Sequence, residues 1–176
     1  GWARTGGGWW RRCSAARACS TGEEAWSIAM TLRELGCAAQ VVATDIDTDA
    51  LVAAQAGVYR IERAASIPPQ QLKEHFLRGA GDNAGWVSIR PELRGLVTFK
   101  PLNLQAAGWP DLGTFDAIFC RNVVIYFDRA AQGRLIDRFA GLLRPGGLLM
   151  VGHAECFPAG HRRFKSCGRT AYELLP

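Results

Sequence analysis

The run Phe115-Asp116-Ala117-Ile118-Phe119-Cys120 limits what this chain can fold into more than any other feature. It is apolar almost without interruption and does not alternate, as a strand covered on both faces requires. Such a strand lies at the centre of a parallel sheet flanked by helices, which makes the chain α/β. The run ends in Arg121-Asn122, polar groups at the carboxyl end of the strand, where sheets of this kind bind ligands.

The same strand-and-helix rhythm begins near residue 19. Cys19-Ser20-Thr21-Gly22-Glu23-Glu24 turns at Gly22, and Ala25, Ile28, Ala29, Leu32 and Leu35 then recur at helical spacing until Gly36. Thr21 and Glu24 have capping-box spacing. That reading gives Glu24 a structural task and leaves Glu23 as the freer carboxylate. Val41-Val42-Ala43-Thr44-Asp45 reads as a buried strand ending in an acid, and Asp47 or Thr48 caps a helix through Leu51 and Ala54 to Gly57. Asp45 stands about 20 residues beyond the first loop, placed to accept hydrogen bonds from ribose hydroxyls. Two acids at the start of the first helix would repel a pyrophosphate, although bare helix N-termini attract anions. A cationic or hydroxyl-rich ligand fits better, and S-adenosylmethionine is both. No G-x-G-x-x-G follows the first strand, which argues against a nicotinamide-dependent oxidoreductase.

Pro68-Pro69 open a short helix carrying Leu72, His75 and Phe76, with His75 read as a packing or surface residue. Residues 77–85 are dense in Gly, Asp and Asn, as loops are. Trp86–Arg90 and Leu96–Lys100 then read as two strands of a small antiparallel excursion, about residues 77–100, whose exposed edge could accept a partner strand. After Pro101-Leu102-Asn103-Leu104 comes a Gly- and Pro-broken loop to Gly113. Beyond the central strand, Phe127 reads as core, while Tyr126 is open between packing and a site role. Leu135, Ile136, Phe139, Leu142 and Leu143 mark a helix ended by Arg144-Pro145-Gly146-Gly147, followed by the strand Leu148–Val151 and then His153-Ala154-Glu155. Phe164–Cys167 and Thr170–Leu175 flank a turn as a terminal hairpin, closing a mixed sheet.

Composition bounds the function. At 176 residues the chain suits one domain, and no apolar run approaches the roughly 20 residues of a membrane span. The net charge of +5 is scattered among acids, which argues against a dedicated nucleic-acid surface, and a mildly basic enzyme acting on an acidic protein partner explains the charge as well. Cys13, Cys19, Cys37, Cys120, Cys156 and Cys167 form no C-x-x-C pair and no metal-ligand spacing, so a reducing cytoplasm and no metal are expected. Residues 1–12, rich in Gly, Trp and Arg, lack the apolar core of a signal peptide. They read as a fragment whose start is missing or as a non-native reading frame.

In order from residue 19 to the C-terminus, the chain carries Cys19–Glu24 with Ser27-Ile28-Ala29-Met30, Ala43–Thr48, Ala56-Gly57-Val58-Tyr59, Asn103-Leu104, Phe115–Val123 with Ile125-Tyr126-Phe127-Asp128, Pro145-Gly146-Gly147, and Gly152-His153-Ala154-Glu155. This series resembles the CheR-type chemotaxis receptor methyltransferases. The resemblance implies a class I S-adenosylmethionine-dependent methyltransferase fold: a Rossmann-like mixed seven-stranded sheet, its last strand antiparallel, with a small inserted antiparallel β-subdomain. It implies methyl transfer from S-adenosyl-L-methionine to receptor glutamates, leaving S-adenosyl-L-homocysteine. By the same resemblance Cys19, Thr21, Glu23, Asp45, Asn103, Leu104, Arg121 and Asn122 hold the cofactor, with Glu23 and Asp45 at its amino-acid and ribose portions. Arg121 and Tyr126 would assist the transfer. Partners would be receptor cytoplasmic domains, with a receptor C-terminal peptide docking on the β-subdomain by strand addition; a cytoplasmic monomer is expected. The family's N-terminal helical domain and Thr-x-Phe-Phe-Arg segment are not in this sequence, and its first strand is only echoed by Arg12–Ala16. Residues 1–18 are therefore expected to be an atypical or damaged segment with a remnant of the first strand, ahead of a methyltransferase domain over 19–176. Two readings stand against this one: another class I methyltransferase acting on a small molecule or nucleic acid, and a truncated domain that binds cofactor or receptor tail without turnover.

Overall fold

The apolar run Phe115–Cys120 is the fourth of the large sheet's seven strands, with Phe115, Ala117, Ile118 and Cys120 all buried. The computed structural model describes residues 13–17, 19–153 and 162–176. In chain order the elements are β1 (Cys13–Arg17), α1 (Glu23–Glu34), β2 (Val41–Asp45), α2 (Thr48–Ala56), β3 (Val58–Arg60), α3 (Pro69–His75), β4 (Phe76–Arg78), β5 (Trp86–Ile89) and α4 (Pro91–Arg94). There follow β6 (Val97–Pro101), β7 (Phe115–Cys120), α5 (Arg129–Leu142), β8 (Leu143–Val151), β9 (Phe164–Ser166) and β10 (Ala171–Leu174).

The large sheet runs β6-β2-β1-β7-β8-β10-β9. Its first five strands pair in parallel, and β10 lies antiparallel between β8 and β9. The strand order reverses beside β1, and that is where a doubly wound sheet opens a ligand crevice beyond its carboxyl ends. The strand echoed weakly in the sequence does form, at the centre of the sheet. Ser14 to Arg17 in β1 matches only Val42 to Thr44 in β2, and Cys13 to Arg17 matches Ala117 to Cys120 in β7. One extra residue is therefore carried as a bulge, which keeps both ladders paired on either side of it.

Helix α1 buries Ala25, Trp26, Ala29 and Met30. Trp26 donates its indole N–H to the Ala54 carbonyl (3.1 Å) and meets Phe99 edge-on at 5.4 Å between ring centroids. Leu35, expected on the apolar face, is 70% exposed, because the helix has already ended at Glu34. Asp47 caps α2 by accepting from the Asp49 and Ala50 amides, and Gly57 ends it in the left-handed region. Helix α5 buries Leu135, Ile136, Phe139 and Ala140 in a second apolar cluster that includes the inward residues of β7 and β8. Arg144-Pro145-Gly146-Gly147, expected to separate helix from strand, lies inside β8, where the register against β7 slips between Phe115 and Ala117.

The inserted small sheet differs from the sequence reading. Its order is β3-β5-β4, so it draws on residues 58–60 as well as 76–78 and 86–89. Leu96–Lys100, expected in that excursion, supplies β6 instead, paired parallel to β2 from Val97 to Pro101. A short alternating strand looks the same in sequence whether its partner is a hairpin neighbour or a distant parallel strand. Tyr59, Phe76, Val87 and Ile89 are buried, while Val58 and Leu77 face outward.

Candidate functional site

The loop from Cys19 to Gly22 is held to β2 at two points. The Cys19 amide donates to the Thr44 carbonyl (3.2 Å), and the Ser20 amide donates to Asp45 Oδ2 (2.8 Å). The loop closes with the Gly22 amide on the Cys19 carbonyl (2.8 Å), Ser20 at φ 48° and Gly22 at φ 92°. Left-handed backbone at a non-glycine residue is costly and persists where its surroundings over-determine it.

This turn overturns the capping-box expectation. Gly22 is itself the N-cap of α1, with no side-chain cap. Thr21 therefore lies one position too early, and its hydroxyl donates to Glu23 Oε2 (2.8 Å). Glu24, freed from the cap, pairs with Arg121 at 3.0 Å and so ties the start of α1 to the end of β7. Glu23 is not a bare carboxylate either, since Arg63 forms an ion pair with it and also donates to the Thr21 hydroxyl. Tyr59 donates its hydroxyl to the Thr21 carbonyl (2.6 Å), which joins the small sheet to the same loop, and burial pushes its pKa up.

Asp45 is 8% exposed at the carboxyl end of β2. Its Oδ1 accepts from the Asp47 amide (3.0 Å) while Oδ2 accepts from Ser20. Each carboxylate oxygen has a further lone pair, so the group can still accept from a ligand hydroxyl. A cleft of about 330 Å³ opens beside it, walled by Ile46, Asn103, Leu104, Val123 and Phe127. Asn103 Oδ1 accepts from the Gln105 amide (2.8 Å), fixing the turn that presents Leu104.

Of the residues expected to hold a cofactor, Asp45, Asn103 and Leu104 thus line one cleft, Cys19 and Thr21 belong to the loop bound to Asp45, and Glu23 opens α1 directly after that loop. Arg121 is held by Glu24 at the loop's far side. Asn122 follows it with φ 59°, a second left-handed residue at the carboxyl edge of the sheet. Tyr126 is 79% exposed in a 3₁₀ turn, so its hydroxyl faces solvent. Ile46, Val123 and Phe127 were missed as wall residues. The signal for Ile46 and Val123 was position, since each lies within three residues of a strand's carboxyl end, whereas Phe127 reaches the wall only through the intervening 3₁₀ turn. His75 is buried against Glu34 (2.8 Å) and shares nothing with the cleft. Its grouping with Glu34 and Glu74 is the one cluster of metal-ligating type among the described residues, and none of the three lines the cleft. Ala154 and Glu155 lie outside the described residues. Burial, with Asp45 nearby, pushes the Cys19 thiol up to about 12, which keeps it protonated and unreactive near neutral pH.

The family model described as "CheR methyltransferase, SAM binding domain" matches residues 10–173. This chain belongs to that family. The chemotaxis protein methyltransferase of Klebsiella aerogenes is 51% identical over 161 residues, covering 89% of this chain and 56% of the relative. That of Escherichia coli K12 is 49% identical over 176 residues, 98% of this chain and 61% of the relative. The chain therefore spans somewhat over half the length of these curated relatives. Among solved structures, PKMT2 from Rickettsia typhi in complex with AdoHcy superposes with a TM-score of 0.50 at 15% identity, covering 80% of this chain and 20% of that one. At that identity the likeness concerns the fold, which is that of the class I S-adenosylmethionine-dependent methyltransferases. The donor set suits S-adenosylmethionine, the cofactor of the family's domain: a buried carboxylate with lone pairs to spare for ribose hydroxyls, beside apolar walls for a flat base.

Proposed function

We propose that this chain is the catalytic portion of a protein-glutamate O-methyltransferase that esterifies glutamates on the cytoplasmic domains of chemotaxis receptors. The observation that carries the reading is the cleft at the reversal point of the sheet, with Asp45 at its floor, in a chain about half identical to proteins named for chemotactic methylation. Asp45 would hold the ribose, the walls around Leu104 and Phe127 the adenine, and Glu23 the cationic amino-acid end. For Glu23 this means sharing its carboxylate between Arg63 and the ligand. Cys19, Thr21 and Asn122 contribute through the backbone of the two loops that frame the site. The reading also includes capture of a receptor C-terminal peptide on the outward face of the small sheet, and a monomeric, cytoplasmic protein.

The bound cofactor supplies an electrophilic methyl group on a sulfonium. A glutamate side chain is already ionised at neutral pH, so the acceptor needs no general base. The work left to this chain is to align the carboxylate oxygen with the methyl carbon and to remove water from it. Arg121 and the solvent-facing Tyr126 hydroxyl are donors that could hold the other carboxylate oxygen. Arg121 would do so while still paired to Glu24, because a guanidinium offers five N–H donors.

The decisive experiment supplies the chain with methyl-labelled S-adenosylmethionine and either receptor cytoplasmic fragments or bulk RNA. Label on the receptor fragment, released as methanol in mild alkali, is expected. Alkali-stable label, or label on RNA, would refute the reading.

A further inference from the structure

We propose that α5 sets the width of the cofactor cleft through two side chains, Arg138 and Gln132, which makes them positioning residues for cofactor binding. The inference rests on the reading of the cleft given above.

Two segments without regular ladders form much of the wall: residues 102–105 after β6, and 123–127 after β7. The Leu102 amide still donates to the Asp45 carbonyl at the end of β2 (2.8 Å), but past that bond both segments leave the ladder, and both are gripped from the same helix. Arg138 donates to one carbonyl of the first segment and two just beyond it: Nη1 to Leu104 (3.3 Å) and Ala106 (2.6 Å), and Nη2 to Ala107 (3.0 Å). Its guanidinium also lies over the Trp109 ring at 5.1 Å, and Trp109 donates its indole N–H to the Asn103 carbonyl (3.2 Å). Gln132 donates its amide to the Val124 (3.1 Å) and Phe127 (2.9 Å) carbonyls of the second segment. Asp128 caps the helix directly after Phe127. The two loops are thus mounted on one rigid rod, with donors six residues apart.

Bonds from a charged donor are about twice as strong as neutral ones, and the guanidinium fork holds its N–H donors in a fixed plane, so that one side chain fixes three carbonyls. Without Arg138 the loop would have to be ordered by the ligand, and that ordering cost appears as lost affinity. The structure therefore assigns Arg138 the larger effect and Gln132 the smaller.

The test uses the full chain and calorimetry with S-adenosylmethionine. Arg138→Met should weaken binding roughly tenfold, which corresponds to about 1.4 kcal/mol. Arg138→Lys should recover part of this loss, and Gln132→Met should cost a few-fold. Arg134→Met, the same charge change on the exposed side of α5, should leave affinity unchanged. Hydrogen exchange adds a readout that does not depend on turnover. Amides of residues 104–109 in Arg138→Met should exchange faster in the free protein and recover protection when cofactor is added. In a receptor methylation assay, KM for the cofactor should rise while kcat holds, whereas a general folding defect would lower the active fraction and spare KM. Asp45→Asn separates the two layers of the argument. If the parent chain binds no cofactor, or Asp45→Asn binds as the parent does, the reading of the cleft is wrong and this role falls with it. If Asp45→Asn loses binding while Arg138→Met keeps the parent's affinity and loop protection, the cleft stands and the role of Arg138 is refuted.

Discussion

Gly22 is the residue on which the site loop turns, and the structure gives two independent reasons for it. Its φ of 92° is unfavourable for any side chain, and a Cβ there would stand 2.8 Å from the Ala54 Cβ. Gly22→Ala is therefore expected to cost about 2 kcal/mol, read as a lowered midpoint in urea unfolding. The same turn is why the capping-box spacing goes unused. Thr21 and Glu24 have the spacing of a capping box, but spacing says nothing of backbone conformation, and Gly22 takes the cap position that the box needed. Asp45, by contrast, was legible, because an acid at the end of a buried strand has few other places to be. Cys19 adds a pH dependence. Its thiol rises from 9.0 to about 12 on folding, chiefly through burial. A folded pKa above the unfolded one means the unfolded chain gives up its proton first. The contribution of Cys19 is thus fully present below pH 9 and is lost as pH rises toward 12. Unfolding midpoints measured from pH 8 to 11 should fall, and Cys19→Ala should flatten that slope. At pH 8 iodoacetamide should label the exposed Cys167 well before the buried Cys19 and Cys120.

Elements whose pattern depends on burial alone could be read directly. The β7 run has the extent its apolar residues imply, and the terminal hairpin forms within a residue of it, whereas Leu143, expected on the α5 face, already belongs to β8. Those that depend on partners could not. Val97–Pro101 alternates like a hairpin strand, yet its partner is β2, more than fifty residues earlier, and the sequence carries no mark of parallel pairing. Val58–Arg60 is too short to announce itself and becomes a strand only against Trp86–Ser88. Helix α2 shows how its own ends are secured. Asp47 caps its first turn with one carboxylate oxygen, so Asp47→Ala should cost about 1 kcal/mol. At the other end Arg94 donates to the Gln55 (3.1 Å) and Ala56 (2.7 Å) carbonyls and, through Nε, to Ile89 (3.2 Å). A cation on the last carbonyls also complements the helix dipole. Arg94→Met is expected to lower stability by about 1–2 kcal/mol and to speed amide exchange at the end of α2 and in β5, because one side chain joins both.

The whole molecule comprises the sheet that carries the cleft and a smaller sheet inserted between α2 and β6. The small sheet has one face buried, through Tyr59, Phe76, Val87 and Ile89, and one face outward, with Val58 and Leu77 exposed and Arg60 lying over Trp86 at 4.2 Å. Its edge strands β3 and β4 each pair on one side only, which leaves backbone groups for an added strand. None of these outward residues lines the cleft beside Asp45. If the small sheet captures a receptor peptide, capture and cofactor binding should be separable by substitution. Val58→Lys with Leu77→Lys places charge on the outward face without touching the buried one. The pair should abolish binding of a receptor C-terminal peptide in a fluorescence anisotropy titration, and cofactor affinity should stay within about twofold. The Tyr59 hydroxyl, however, reaches the Thr21 carbonyl, a direct bond from the small sheet to the site loop. Tyr59→Phe removes that bond and keeps the ring packed. If peptide and cofactor influence each other, it is in this variant that their coupling should weaken, and by linkage the loss must be equal whichever ligand is added first. Equal cofactor affinities with and without saturating peptide in the parent chain would show instead that the contact is structural and the two sites act independently.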